Sequence, residues 1–387
     1  MKHLRAVNKY FWKYRMRFFW GLVFIILSNY FRILTPQVTG YVVNSVEKEL
    51  RDSIAFKTSR LTMPSQGTAT QPQTTGSQAL QDKKDTANYD ILVKKFIRRL
   101  DEAKPSFGTK VAICGITLLV LALVGGFFMF LMRQTIIVMS RHIEYDQKKE
   151  IYDHYQLLDA NFYKIHSTGD LMSRMAEDVS RVRMFTGPAV MYLVNLLATI
   201  AFSLFFMLKK DPLLSFYVLT PLPILAITIY YVNTIIHKRS EHIQALLSNL
   251  TTNAQESYSG IRVIKSFVQE NAMLRFFTHN SEEYRKNAVG LAKVESIYFP
   301  SMGLMIGLST LLAIMIGGLY SIYGRHNTDL GTITEFVIYI TMLTFPVSAI
   351  GWVASIIQRA SASQKRLNEF LDTVPDIRNP DTQLQHH

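Results

Sequence analysis

Cysteine is almost absent from this 387-residue chain: Cys114 stands alone, so no disulfide framework can form within it. Charge is scarce as well, at 18%, against about 25% in ordinary globular domains. The deficit is uneven. Several long windows hold no Asp, Glu, Lys or Arg at all, which excludes a single soluble core and nominates membrane spans. No Gly-x-x-x-x-Gly-Lys-[Ser/Thr] loop occurs, so the chain offers no backbone cradle for nucleotide phosphates. His142, His154 and His166 recur at intervals of 12 with no second His or Cys at ligand spacing, which points to no metal site. No Ser/His/Asp or Cys/His arrangement offers an activated nucleophile, so no catalytic residue is assigned.

What the chain has is apolar length. Six spans can be read, at about 18–43, 111–132, 184–208, 212–236, 296–324 and 330–358. The second to fifth carry no charge over 22, 25, 25 and 29 residues, and the sixth carries only Glu335. Lys+Arg outnumber Asp+Glu by 42 to 29, giving a net charge of +13. The excess lies beside the apolar runs, so anionic lipid headgroups, not nucleic acid, are the expected partner. Residues 1–17 combine six basic residues with Tyr10, Phe11, Trp12 and Tyr14 and contain no acid. This composition predicts an interfacial segment on the cytoplasmic side. An even number of spans then places both termini in the cytoplasm. The first apolar stretch is long and no small-residue cleavage site follows it, so it reads as a span and not as a signal peptide.

Spacing adds more. Spans three and four are separated only by Lys209, Lys210 and Asp211, whereas 51 residues separate spans two and three and 59 separate spans four and five. Both long segments lack proline and show apolar residues at helical intervals. Each predicts a pair of helical arms with a break near Thr168-Gly169 or Gly260. An arm of about 25 residues reaches roughly 37 Å beyond the bilayer. Residues 53–88 form a polar, low-complexity insert in the first outer loop, unable to build a core. The stretch 89–104 after it predicts an amphipathic helix at the outer surface, with Leu92, Phe96 and Leu100 on its apolar face. Gly187-Pro188, Pro221, Pro223 and Pro346 are expected bending points.

The arms carry a resemblance. Phe162, Thr168-Gly169, Leu171, Ser173-Arg174 and Asp178-Val179 in the first long segment resemble the first cytoplasmic loop of ATP-binding cassette (ABC) exporters. Gln255-Glu256 through Gly260-Ile261, Ile264-Lys265, Phe267 and Glu270 resemble the second loop, and Ala360, Ser363, Arg366 and Phe370-Leu371 a third match. The chain departs from the family in having Asn161-Phe162-Tyr163 at the first turn and in its long outer insert.

This resemblance implies an all-α membrane domain of the type-1 exporter fold over residues 18–372, in a domain-swapped homodimer or paired with a related half-transporter. It implies two coupling helices that contact a nucleotide-binding domain: Asn161, Phe162, Tyr163, Thr168 and Gly169 at the first, and Ser259, Gly260, Ile261, Val263 and Lys265 at the second. Residues 373–387 resemble the linker towards a nucleotide-binding domain, fused or separate, which would hold ATP and magnesium. The family's Leu-Ser-Gly-Gly-Gln signature is absent here. Fusion, with this sequence a fragment, is the expectation. Outward movement of an amphipathic or lipid-like substrate, lipid A-type lipids and drugs included, across the inner or plasma membrane is the implied function. A six-span secondary transporter or a membrane scaffold is the alternative. Ionisable and amide side chains inside spans default to functional candidates, here Asn29, Arg32, Gln37 and Glu335 along the substrate pathway.

Overall fold

The computed structural model describes residues 2–61, 89–103, 105–323 and 328–375. Most of the expected insert (62–88) and of the expected linker (376–387) lie outside the described residues. Among the described residues every regular element is helical, and six helical runs are long and apolar enough to cross a membrane. The chain divides into two compact units, one of residues 1–212 and 317–387 and one of residues 213–316.

The first unit opens with a 3-10 helix (Lys2–Val7) and α1 (Asn8–Lys13), followed by α2 (Arg15–Leu61). Helix α2 continues well past the expected end of span one, because no glycine or proline interrupts it between Tyr41 and Leu61. Helix α3 (Ile91–Glu102) follows, and α4 (Phe107–Leu157) combines span two with its arm. Then come the short α5 (Ala160–Ile165) and α6 (Thr168–Ser173). A π-helical turn at Arg174–Asp178 leads from α6 into α7 (Val179–Met184), and a second at Phe185–Ala189 joins α7 to α8 (Val190–Lys210), which carries span three. The second π turn contains Gly187-Pro188, so the bend expected there takes the form of one widened turn. Gly187 is also a point of close approach, since a Cβ there would lie 2.5 Å from the Ser140 hydroxyl of α4.

The second unit begins within α9 (Pro212–Leu219) and continues through α10 (Pro221–Ser259) and α11 (Ile261–Ser266). It ends within α12 (Glu270–Ile322), which holds Pro300 internally. Pro221 breaks span four into α9 and α10, because a proline at the first helical position has no N–H to continue the previous helix. The two arms of this unit are tied where Arg239 Nη1 donates to the Gly290 carbonyl at 2.9 Å. The chain then returns to the first unit as α13 (Leu330–Leu371).

In the first unit α2 packs along α4 and against α13 and α8. A core of Ile25, Ile136, Met139, Ile143, Val179, Val182 and Phe370 holds the arm ends of these helices together. The N-terminal segment joins that core through Leu4, Val7 and Tyr10. One face of this segment therefore differs from the interfacial expectation. Lys13 Nζ and the Tyr14 hydroxyl donate to Asp146 at 2.7 and 2.9 Å, and Lys9 and Tyr10 donate to Glu150. Burial and then the Glu150 hydrogen bond push the Tyr10 hydroxyl far above its ordinary value. Trp12, Met16, Phe19 and Trp20 remain exposed, the side left for lipid.

Helix α3 also corrects an expectation. Of the expected face, Leu100 is buried and Phe96 packs partly buried against the same core, but Leu92 is exposed while Val93 and Ile97 are buried. Periodicity alone located an apolar stripe, but Leu34 and Val38 of α2 and Cys114 of α4 cover the neighbouring one. Lys94, Lys95, Arg98 and Arg99 face outward as expected.

An ionic knot joins the arms. Glu144 accepts from Arg141 and Lys148 at 3.0 Å each and lies 3.4 Å from Arg183. Burial alone would raise its pKa, but the hydrogen bonds from Lys148 and Arg141 outweigh this and lower it. A depressed carboxyl contributes stability that is present above the unfolded value near 4.5 and is lost as pH falls through the lower folded value. Glu144→Gln should therefore lower stability at neutral pH and flatten the acid limb, so that the two proteins converge as pH falls below about 4.5. Denaturant titrations at stepped pH check this, and parallel acid limbs for the two proteins would refute it.

Candidate functional site

The first arm tip is α5. Asp159 caps it by accepting the Phe162 N–H at 3.0 Å, the local reason that a helix restarts after the extended Leu158. The break lies at residues 158–159 and 166–167, not at Thr168-Gly169. Thr168 and Gly169 are exposed in the first turn of α6, the returning helix. Ser167 starts that helix by accepting the Asp170 N–H at 3.3 Å.

Phe162 points back into the arms. Its ring stacks on His166 at 4.1 Å and reaches Phe370 of α13 at 6.1 Å. Tyr155 lies 4.5 Å from the same Phe370, and burial pushes its hydroxyl up to about 12. That hydroxyl donates to the Leu171 carbonyl at 3.0 Å, while Tyr163 donates to the Tyr155 carbonyl at 2.6 Å. The tip is thus cross-braced to α4, α6 and α13, and Asn161, Tyr163 and Ile165 are exposed. Phe162 is the anchor of the tip, and its neighbours form the surface.

The second tip belongs to the second unit. Helix α10 ends at Ser259, and Gly260 caps it with its N–H donated to the Glu256 carbonyl at 2.8 Å. Ile261, Val263 and Lys265 lie on α11 itself. The chain turns back at Val268, whose φ of 54° is left-handed and unfavourable for a β-branched residue. Lys265 meets Glu270 across this turn at 3.1 Å. Ile261, Val263, Phe267 and Val268 are all exposed, Val268 to 78%.

The in-span candidates separate. Asn29, on α2, donates to Asn195 at 2.8 Å and accepts from Thr199 at 2.6 Å, both on α8. It is a buried tie between spans one and three. Gln37 is buried and accepts the Asp90 N–H at 2.9 Å. Glu335, 1% exposed, meets Lys210 at 3.1 Å. Arg32 is exposed and is not brought to Glu335. Lys210 was missed because it sits in a short charged run that reads as a solvated turn. The available signal was Glu335 itself, since an acid inside a span requires a cation.

Two further residues were visible only as separate parts of the resemblance. Asp178, in the first π turn, is 1% exposed and accepts from Arg366 of α13. This pair fixes the returning arm of span three to the extension of span six, directly behind the first tip.

The sequence profile of the ABC transporter transmembrane region matches residues 18–347. The probable multidrug resistance ABC transporter ATP-binding/permease protein YheI of Bacillus subtilis (strain 168) is 32% identical over 237 residues, 60% of this chain and 40% of that protein. The multidrug resistance-like ATP-binding protein MdlA of Escherichia coli (strain K12) is 29% identical over 262 residues, 67% of this chain and 44% of that protein. An ATP-dependent lipid A-core flippase of Syntrophus aciditrophicus (strain SB) is 25% identical over 246 residues, 64% of this chain and 41% of that protein. The match spans less than half the length of each of these relatives.

Proposed function

Because the chain belongs to the family of ABC transporter transmembrane regions, we propose that it works as the membrane half of an ATP-driven exporter. It moves an amphipathic or lipid-like molecule outward by alternating access. The observation that carries this reading is the pair of short helices, α5 and α11, each held at the turn of two long arms, one in each unit. A short helix on stiff arms passes a displacement to the spans as a rigid body. Exposed Tyr163 and Ile165 at one tip, and Ile261, Val263 and Phe267 at the other, supply an apolar surface for a nucleotide-binding domain.

This chain's own residues offer no cradle for ATP and magnesium, so hydrolysis is assigned to that domain. The family match favours pairing with a second copy or a related half-transporter. The basic N-terminal segment and arms favour a cytoplasmic side for both tips and both termini. The relatives named for multidrug resistance and for lipid A-core flipping leave drug-like and lipid-like amphiphiles as the substrate classes to test.

The test is substrate-stimulated ATPase activity of the chain with its nucleotide-binding domain in proteoliposomes. Ile261→Asp with Val263→Asp places two charges on the second tip and should lower the stimulated rate at least about fivefold. Helix content and thermal stability should stay unchanged, because neither side chain is buried. Unchanged stimulation would remove the second tip from the mechanism. Substrate flux that persists in ATP-depleted vesicles would replace the reading with a secondary transporter.

A further inference from the structure

At the end of the first unit opposite the first arm tip, charge is buried where apolar packing would serve stability equally well. Lys210 terminates α8, and its Nζ lies 3.1 Å from Glu335 of α13 and 3.9 Å from the centre of the Tyr89 ring. Their side chains are 11% and 2% exposed. Tyr89 belongs to the segment that follows the insert. Its carbonyl accepts from Lys209 at 3.2 Å, and the adjacent Asp90 is held to α2 by the Tyr30 hydroxyl at 2.6 Å and by Gln37. The segment thus straps α2 to the end of α8.

A second line joins α2 to α13 directly. The Gly331 N–H donates to Asn44 at 2.6 Å, and Gly40 packs so closely on Glu335 that a Cβ there would lie 2.5 Å from its carboxylate. The ends of spans one, three and six therefore meet at one buried ion pair covered by one ring.

We propose that Lys210, Glu335 and Tyr89 form a latch that holds this end of the chain closed, and that parting the pair is a step in opening it. The proposal rests on the alternating-access reading above. Two physical considerations support it. A buried ion pair adds little stability over well-packed apolar groups, so the closed state is not held too tightly to open. When the helices part, water solvates both ions, so the open state is not penalised as exposed leucines would be. The strap also gives the unusual outer loop a role, because the segment that follows it supplies the ring over Lys210.

The experiment places a reporter cysteine at Thr332, which is 3% exposed beside Gly331, in the full chain with its nucleotide-binding domain. In nanodiscs both faces are open to a charged maleimide. Native Cys114, 1% exposed, is retained as an internal control for unfolding, and the two sites are read separately by peptide mass. Lys210→Met should raise the Thr332→Cys labelling rate at least fivefold without nucleotide, and Tyr89→Leu should raise it less. The charge exchange Lys210→Glu with Glu335→Lys should return it to within twofold of the parent, with Cys114 unlabelled throughout.

Parent-like labelling of both single variants, while ATP with vanadate opens the parent, would overturn the latch and leave alternating access standing. No rise in the parent with ATP and vanadate would overturn both. Labelling of Cys114 together with the reporter in Lys210→Met, unrescued by the exchange, would show a purely structural tie and overturn the latch.

Discussion

Arg366→Met is expected to destabilise the chain by about 3 kcal/mol, near the lower end of the range for a buried pair that loses one partner. The reason is asymmetric burial. The Arg366 side chain is half exposed, whereas the Asp178 carboxylate is only 2% exposed. Removing the arginine leaves an anion inside the packing of α7 and α13 with nothing to compensate its lost hydration. Asp178→Asn leaves a neutral amide able to donate or accept, and the surviving guanidinium can turn to water, so its cost should be about 1 kcal/mol. Asp178→Leu combined with Arg366→Met should recover to within about 1 kcal/mol of the parent, because paired apolar groups replace a buried ion pair well. Denaturant unfolding of the solubilised chain and its three variants measures all of these. Equal costs for the two single variants would show that the carboxylate is hydrated and that its burial is not what makes the pair matter. The pair sits behind the first arm tip, so Arg366→Met should also loosen the Phe162–Phe370 contact that braces α5.

Much of this architecture was legible because membrane spans and long helices write themselves in one dimension. Residues 111–132 and 184–208 carry no charge, and only a helix can bury that much backbone in lipid. The first arm tip was legible only in part: the resemblance grouped Asn161, Phe162 and Tyr163, which lie together on α5, but also Thr168 and Gly169, which lie on α6. Its breaks lie at Leu158-Asp159 and His166-Ser167, the second just before the expected Thr168-Gly169, since Asp159 and Ser167 set the caps while Gly169 meets open space. The site ties were not legible, because each depends on a distant chain segment. Asp178 and Arg366 are separated by 188 residues and Lys210 and Glu335 by 125, and no periodicity links such positions. On the apolar face of α3 only Leu92 was misplaced, for the same reason. Leu92 and Val93 are both apolar, and only the positions of Leu34 and Val38 decide which of them is covered. The N-terminal segment showed its composition but not its two faces, because Asp146 and Glu150 lie on an arm that folds back beside it.

Gly331→Ala should destabilise the chain by about 2–3 kcal/mol, the upper part of the usual range for overpacking. The added Cβ would lie 2.1 Å from the Gly40 carbonyl oxygen and 2.5 Å from the Asn44 side chain. A side chain such as Asn44 can rotate away, at the loss of its hydrogen bond to the Gly331 N–H. The Gly40 carbonyl cannot, because it belongs to the backbone of α2 and moves only with the helix. The substitution therefore has to push α2 and α13 apart, at the place where small residues let two backbones approach. Gly115→Ala provides the contrast. A Cβ there meets nothing within 4 Å, so the gain in helix propensity, up to about 1 kcal/mol, should leave that variant as stable as the parent or more so. Denaturant unfolding of the two variants should show opposite signs, and a neutral Gly331→Ala would mean that the two backbones do not meet there. The same separation strains the Lys210–Glu335 pair four residues further along α13. Gly331→Ala should therefore speed labelling of the Thr332→Cys reporter even where Lys210 and Glu335 are both intact. Stability and accessibility would then move together, which ties the close approach of spans one and six to the closure of this end.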